Sequence, residues 1–158
     1  MSTVKAELRA RDIMTPDPAC VQPSTTIREL AQVFEEHGIS GAPVVDQAGT
    51  VVGVVSKSDL IRRCSEGSSE VPPAYLFEVL FDQGEEDDAD SSGVIPEPLV
   101  CVEDFMTEDP LTVTGDISAA RMAQLMFENR IHRLIVVDQD RVPIGIVTSL
   151  DLLGVFSQ

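Results

Sequence analysis

The feature that most constrains this chain is an internal repeat. Residues 12–60 return without a gap at 104–152, a displacement of 92 positions, and 18 of the 49 aligned residues are identical. A duplicated unit determines the architecture more strongly than local composition does. Two copies of one unit predict a pseudo-symmetric pair, with any sites lying between or beside the halves.

Each copy shows the same order of predicted elements, β-α-β-β-α. The first strand is predicted at 19–22 and 111–114, and the first helix at 25–37 and 117–129. The next strands are predicted at 42–46 and 51–55, and at 134–138 and 144–147; the last helices are predicted at 57–64 and 149–156. The later strands are unbroken β-branched runs, so we expect both faces of their sheets to be covered.

The ends of the first helix in each copy carry recognisable signals. Ser24 and Asp116 stand where a helix N-cap is expected, because their side-chain oxygens accept hydrogen bonds from free helix amides. Gly38 is placed to end the helix of repeat one. Arg130 replaces that glycine in repeat two.

The acidic residues are concentrated in one stretch. The formal net charge is −16, and 15 of the 27 Asp and Glu residues lie between Cys64 and Ala120, where no Lys or Arg occurs. Nucleic acids and anionic membrane surfaces bind through Lys and Arg, so both are disfavoured as partners. No apolar run reaches the roughly 18 residues of a membrane span. Residues 1–11 contain no apolar signal core, which predicts a cytoplasmic protein.

The cysteines and the connector complete the outline of the chain. Cys20, Cys64 and Cys101 show no metal-ligand spacing, so we expect inert thiols in a reducing compartment and no metal site. We predict repeat one within 1–64, an acidic connector at 65–102 and repeat two at 103–158. A short helix is predicted near 74–82, where its apolar face packs on the protein or docks a partner, and 84–93 has the composition of a solvated loop.

The strongest candidate for a site is the motif Gly-x-x-Ser/Thr-x-x-Asp, at the last strand-to-helix junction of each copy. Its residues are Gly53, Ser56 and Asp59 in repeat one, and Gly145, Thr148 and Asp151 in repeat two. One interpretation is a helix capping box, which needs no ligand. The other is a nucleotide site, in which helix amides and the hydroxyl face a phosphate and the carboxylate accepts ribose hydroxyls. The glycine then lets a flat base approach the strand.

A second candidate is the basic pair His132-Arg133, at the entry to a strand of repeat two. Both side chains could meet a phosphate, Arg133 through its planar fork. A surface pair that offsets the excess acid is the alternative. Repeat one has Ser40 and Gly41 at these positions, so any phosphate sites in the two copies are expected to be unequal.

Together these residues resemble the tandem CBS-domain pair, or Bateman module. The resemblance rests on DIMTPDP, GISGAPVVD and GVVSKSD, with their second copies DFMTEDP, RIHRLIVVD and GIVTSLD, and covers about 100 of the 158 residues. It implies a mixed α/β (α+β) fold of two β-α-β-β-α repeats, packed through their sheets with pseudo-two-fold symmetry around two clefts. It also implies a homodimer.

The resemblance implies a ligand class and residue roles. Such pairs commonly bind AMP, ADP, ATP or S-adenosylmethionine. Asp59 and Asp151 would hold ribose hydroxyls, and Ser56 and Thr148 would hold phosphate. The remaining implied contacts are His132 and Arg133 with phosphate, and Ala42, Pro43, Leu134 and Ile135 with the base. The acidic connector disfavours highly charged ligands unless Mg²⁺ accompanies them.

The sequence therefore leaves three functions to compare. The first is a non-catalytic regulatory module, in which adenosine ligands shift a conformational equilibrium that a partner protein reads. The alternative is a structural, dimerisation or protein-interaction module without a nucleotide ligand. An enzyme is disfavoured, because neither His37 nor His132 has an evident nucleophile in its sequence context.

Overall fold

The computed structural model describes residues 8–65 and 100–157. The connector predicted at 65–102, with its helix near 74–82 and its loop at 84–93, lies outside these residues except at its two ends. The described residues form two compact units, named here after the repeat that supplies most of each. The repeat-one unit comprises 19–44, 53–65 and 100–108, and the repeat-two unit comprises 8–18, 45–52 and 109–157.

Short helices and strands alternate along the described chain. In chain order they are α1 (Ala10–Ile13), β1 (Thr15–Pro16), α2 (Ile27–His37), β2 (Gly41–Val45), β3 (Val51–Ser56), α3 (Lys57–Ser65), a 3₁₀ turn (Val102–Asp104), β4 (Thr107–Glu108), β5 (Thr112–Thr114), α4 (Ala119–Asn129), β6 (Arg133–Val137), β7 (Pro143–Thr148) and α5 (Ser149–Phe156). The mixed α/β class with two sheets is confirmed. None of the helices in the described ranges is long and apolar enough to cross a bilayer.

The sheet of the repeat-two unit has the strand order β1-β7-β6-β5. Strand β5 runs parallel to β6, and β6 is antiparallel to β7. Leu134 and Val136 of β6 join the core formed with α4 and α5. Ile135 and Val137, which alternate with them and point to the other face, are also buried. The expectation of cover on both faces is confirmed for β6. In β3, and from Gly145 onward in β7, buried residues alternate with half-buried ones, so one face of each of these strands is only partly covered.

The sheet of the repeat-one unit has the order β2-β3-β4. The strand predicted at 19–22 is reduced to a single parallel bridge between Val21 and Val44, so that prediction was wrong for repeat one. The corresponding strand of repeat two is β5. The difference shows that even a duplicated strand pattern can stop short of a ladder in one copy.

The two repeats exchange the short segments with which they begin, so each segment pairs within the unit named after the other repeat. Strand β1, from the start of repeat one, pairs with β7 in the repeat-two unit, with Thr15 opposite Ile146. Strand β4, from the start of repeat two, pairs with β3 in the repeat-one unit, with Val54 opposite Thr107. The predicted boundaries 1–64 and 103–158 describe the repeats along the chain and stay predictions, whereas each compact unit combines pieces of both repeats.

The N-cap of the first helix in each copy lies two residues later than predicted. Thr26 and Ser118, not Ser24 and Asp116, accept the N3 amide hydrogen of α2 and α4 at 3.2 and 3.1 Å. Asp116 is engaged elsewhere, in an ion pair with Arg11 at 3.8 Å. The helix ends agree with the prediction, since the residues after α2 and α4 are both left-handed. Their φ angles are 61° at Gly38 and 54° at Arg130.

Candidate functional site

Each copy places a hydroxyl and a carboxylate at the N-terminus of its last helix. In repeat two, Thr148 Oγ1 accepts from the Asp151 amide at 3.2 Å, and Asp151 Oδ2 accepts from the Thr148 amide at 2.8 Å. In repeat one, the Ser56 and Asp59 pair repeats these bonds at 3.2 and 2.9 Å. The capping-box interpretation is therefore confirmed as local structure. The capping box leaves hydrogen-bonding positions of the carboxylate unused, because a carboxylate has about four acceptor positions.

The basic pair of repeat two lies directly beside this helix end. Arg133 is opposite Thr148 in the β6–β7 register, and the Ser149 amide donates to the His132 carbonyl at 2.8 Å. In repeat one, the Lys57 amide donates to the Ser40 carbonyl at 3.0 Å, which is the same bond; there the basic residue is Lys57, in the position of Ser149, and Ser40 and Gly41 replace His132 and Arg133. The predicted phosphate-binding residues of repeat two are thus brought together within one unit.

A surface pocket adjoins this cluster in the repeat-two unit. Its lining consists of Met126, Phe127, Glu128, Arg130, Ile131, His132 and Ser149. From the sequence, Arg130 is only a substitute for a helix-ending glycine, and its place in the pocket lining was not predicted. A signal was present, because a bulky cation at a left-handed position is uncommon and draws attention to function.

The four residues predicted to contact the base are buried in the chain as it stands. Ala42 and Leu134 are 0% exposed, Ile135 is 1% exposed, and Pro43 is also in the buried class. The side chain of Leu134 belongs to the core of the repeat-two unit. Any base contact at Leu134 would therefore use its backbone, and the role of all four positions stays a prediction.

The strand glycines of the two motifs serve another purpose than the one expected. A Cβ at Gly145 would overlap the thioether of Met14, and a Cβ at Gly53 would lie 2.7 Å from the sulfur of Met106. These methionines come from the exchanged segments, DIMT and DFMT. The expectation that the glycines leave room for a flat base was wrong on this side of the strands, since methionine already fills the space.

The aspartates that begin the same two segments cap turns. Asp12 accepts from the Arg9 amide at 2.9 Å, and Asp104 accepts from the Cys101 amide at 2.8 Å. A carboxylate at this position satisfies an amide that the short helix leaves free. The segments therefore carry structure in both copies, and their acidic residues are not part of the hydroxyl–carboxylate pair.

The remaining candidate chemistry is limited. Cys20 and Cys101 are in no disulfide. Desolvation raises the pKa of both thiols, and at Cys101 the neighbouring carboxylates of Asp104, Glu103 and Glu29 raise it further. A raised pKa keeps a thiol protonated and weakly nucleophilic. Within residues 8–65 and 100–157, no group of three or more His, Cys, Asp and Glu side chains is placed to hold a metal ion.

Comparisons with known proteins identify relatives of both repeats. The profile of the CBS domain matches residues 10–66 and 102–158. The chain is 28% identical over 150 residues to inosine-5'-monophosphate dehydrogenase of Methanocaldococcus jannaschii, which covers 95% of this chain and 24% of the dehydrogenase. The chain therefore spans about a quarter of that enzyme.

Two solved structures resemble the chain along most of its length. One is the CBS domain of a CBS domain containing membrane protein from Sphaerobacter thermophilus, at 31% identity and a TM-score of 0.71, covering 98% of this chain and 91% of that one. The other is CBSX2, an Arabidopsis thaliana protein, in complex with AMP, at 29% identity and a TM-score of 0.66, covering 92% and 93%. With two matched copies over most of its residues, this chain belongs to the CBS-domain family.

Proposed function

We propose that the protein is a non-catalytic regulatory module that binds an adenosine ligand and transmits its occupancy to a partner protein. The candidates are AMP, ADP, ATP and S-adenosylmethionine. The observation that carries the proposal is the duplicated hydroxyl–carboxylate pair at a helix N-terminus, in a chain that is 29% identical to a CBS pair solved with AMP. Helix amides favour phosphate, and the carboxylate accepts ribose hydroxyls.

Repeat two offers the more complete set of groups for a phosphorylated ligand. Arg133 is opposite Thr148 in the β6–β7 register, and the adjoining pocket is lined by His132 and Ser149 but not by Thr148, Asp151 or Arg133. Mg²⁺, where it takes part, would arrive with the phosphates of ADP or ATP, whose oxygens are its preferred ligands. AMP, with one phosphate, matches this small basic cluster without a metal ion.

Asp151 provides the direct test. A ligand that binds only the folded state raises the melting temperature, by several degrees for a chain of this size when its concentration is about a hundredfold above Kd. We expect AMP to produce this shift in the wild type, and Asp151→Ala to remove most of it. Asp140→Ala, which removes another carboxylate from the same unit at the turn before β7, should leave the shift unchanged.

The ligand-induced shift is the quantity to compare, because Asp151→Ala also removes a cap and lowers the starting melting temperature. Asp151→Asn, which keeps one oxygen for the Thr148 amide, serves if the alanine variant does not fold. Absence of any shift with all four adenosine ligands would contradict the proposal. A full shift in both Asp151 variants would contradict the role of this carboxylate.

A second function, a dimerisation or interaction module, is favoured by one surface of the repeat-two unit. Phe127 of α4 is 85% exposed, and Leu150 and Leu153 of α5 are 75% and 65% exposed. Large apolar side chains grouped on neighbouring helices mark protein-contact surfaces. Repeat one has Glu35, Ser58 and Ile61 at the corresponding positions, so the surface is not duplicated.

We also propose that the protein forms a homodimer and is located in the cytoplasm. The exposed apolar side chains of α4 and α5 are surface that a dimer would cover, and the thiols of Cys20 and Cys101, which are in no disulfide, suit a reducing compartment. Sedimentation of the wild type and of Leu153→Ser separates the functions. A dimer that Leu153→Ser dissociates, in protein that shows no shift with any adenosine ligand, would favour the interaction module alone.

A further inference from the structure

The two carboxylates of the duplicated motif differ in how fully their oxygens are used. Asp59 Oδ2 accepts from the Ser56 amide at 2.9 Å and from the Ser56 hydroxyl at 3.0 Å. Its Oδ1 accepts from Arg62 Nη1 at 3.3 Å, and the Asp59 side chain is only 11% exposed. Three of about four acceptor positions are therefore occupied by the protein itself.

Asp151 is left more open by the residues around it. Its Oδ2 accepts from the Thr148 amide at 2.8 Å. Among residues 8–65 and 100–157, no donor reaches its Oδ1, and the Thr148 hydroxyl donates to no carboxylate there. An acceptor for a ribose hydroxyl and a donor for a phosphate oxygen are thus both available at this helix end.

The difference comes from one aligned position. Arg62 lies one helical turn beyond Asp59, at the i,i+3 spacing that brings side chains together on a helix surface. The residue 92 positions later is Gly154, one turn beyond Asp151 in α5. Nothing lies within 4 Å of a Cβ built at Gly154, so this position has room for a side chain and lacks one.

We propose that Arg62 competes with the ligand for Asp59, so that an adenosine ligand fills the Asp151 site before the Asp59 site. The inference rests on the proposed function and adds an order of occupancy to it. A ribose diol needs both carboxylate oxygens, and at Asp59 it must first displace a guanidinium. At Asp151, no donor among residues 8–65 and 100–157 has to be displaced from Oδ1.

The expected size of the effect follows from the exposure of the pair. The Arg62 side chain is 65% exposed, so solvent screens its attraction to Asp59. Breaking an ion pair of this kind changes an affinity by about two- to fivefold. Arg62 is therefore a specificity-determining residue of modest strength, and its effect should shrink as salt is added.

The experiment measures AMP binding by calorimetry in two single-site backgrounds. Asp151→Ala leaves the Asp59 site, and Asp59→Ala leaves the Asp151 site; Asp→Asn at each position replaces a variant that does not fold. We expect tighter AMP binding at the Asp151 site. Adding Arg62→Ala to the Asp151→Ala background should strengthen binding about two- to fivefold, and more at low salt than at high salt.

Two matched controls separate the ion pair from general effects. Arg28→Ala removes one positive charge from another helix of the repeat-one unit and should not change AMP affinity at the Asp59 site. In the Asp59→Ala background, Gly154→Arg should weaken binding about two- to fivefold. Gly154→Ala, which makes the same backbone change without a guanidinium, should leave binding unchanged.

The outcomes distinguish this inference from the proposed function. Equal AMP affinities in the two backgrounds, with no response to Arg62→Ala or to Gly154→Arg, would overturn the order of occupancy and leave the nucleotide site standing. A response to Arg28→Ala as large as that to Arg62→Ala would also overturn it, since net charge would then explain both. If neither background nor the wild type binds AMP or another adenosine ligand, the inference falls with the proposed function.

Discussion

The two repeats share their helix ends and differ in the residues that stand at them. At the last helix, both copies keep a hydroxyl and a carboxylate in the same hydrogen bonds. Arg62 of repeat one, however, is aligned with Gly154 of repeat two. At the first helix, the left-handed residue is Gly38 in one copy and Arg130 in the other. At these helix ends, the two copies thus share their backbone geometry and differ in their side chains.

The prediction with the largest expected effect concerns two aligned strand residues in the hydrophobic core. Ala42 and Leu134 are aligned, and both are fully buried. Leu134→Ala gives repeat two the residue of repeat one, and we expect the free energy of unfolding to fall by about 2–5 kcal/mol because a cavity forms. The reciprocal Ala42→Leu should cost about 1–3 kcal/mol through overpacking. Urea denaturation measures both, and a gain from either exchange would show that the two cores are interchangeable.

The next test exchanges the left-handed helix ends. Glycine adopts a positive φ without steric cost, whereas other residues pay about 1 kcal/mol. Arg130→Gly should therefore raise the free energy of unfolding by up to about 1 kcal/mol, and Gly38→Arg should lower it by a similar amount. Thermal unfolding without ligand reports both. If Arg130→Gly also weakens AMP binding while it stabilises the fold, the arginine is retained for the pocket that it lines.

The smallest expected effect concerns Asp116, aligned with Ser24. A hydrogen bond from the Thr114 side chain, followed by one from its own backbone and the charges of Arg11 and Arg9, lowers the pKa of Asp116. Its contribution to stability is therefore complete above the ordinary pKa of an aspartate, about 4, and is lost as the pH falls through the lowered pKa. The melting temperature of Asp116→Asn should lie slightly below that of the wild type at pH 7.

The melting temperatures of the wild type and of Asp116→Asn should become equal as the pH falls to strongly acid values. Asp140→Asn, which changes a turn carboxylate of the same unit, controls for the loss of one negative charge. A gap between wild type and Asp116→Asn that persists at strongly acid pH would assign the effect to packing instead of ionisation. Salt should narrow the gap at neutral pH, since Arg11 and Asp116 are both exposed.

Much of the fold was readable because the repeat is a local pattern. The helices, the strands β2, β3, β6 and β7, and the two helix ends at Gly38 and Arg130 follow from runs of a few residues, whereas the strand expected at 19–22 does not form in repeat one. The misplaced caps show the limit of such reasoning. Several hydroxyl and carboxyl residues stand near each helix start, and only tertiary bonds, such as that of Asp116 with Arg11, decide which of them caps the helix.

The candidate site was predictable in its residue types and not in its surroundings. The Ser/Thr-x-x-Asp motif indicated both the capping box and the acceptor, and the structure contains the box in each copy. The filling of the space over Gly53 and Gly145 could not be foreseen, because it requires knowing which sheet a two-residue strand joins. The bond from Arg62 to Asp59 was within reach of the i,i+3 rule and was overlooked.

The exchange of the leading segments has a consequence for how the chain is made. The repeat-two unit needs residues 8–18 and residues 109–157, so its sheet cannot close until β7, which ends at Thr148, has been synthesised. The repeat-one unit needs nothing beyond Glu108 and can form while translation continues. Pairing between distant parts of a chain is slow. Strand β1 leaves the ribosome well before β7 and must therefore wait for its partner strand until β7 has emerged.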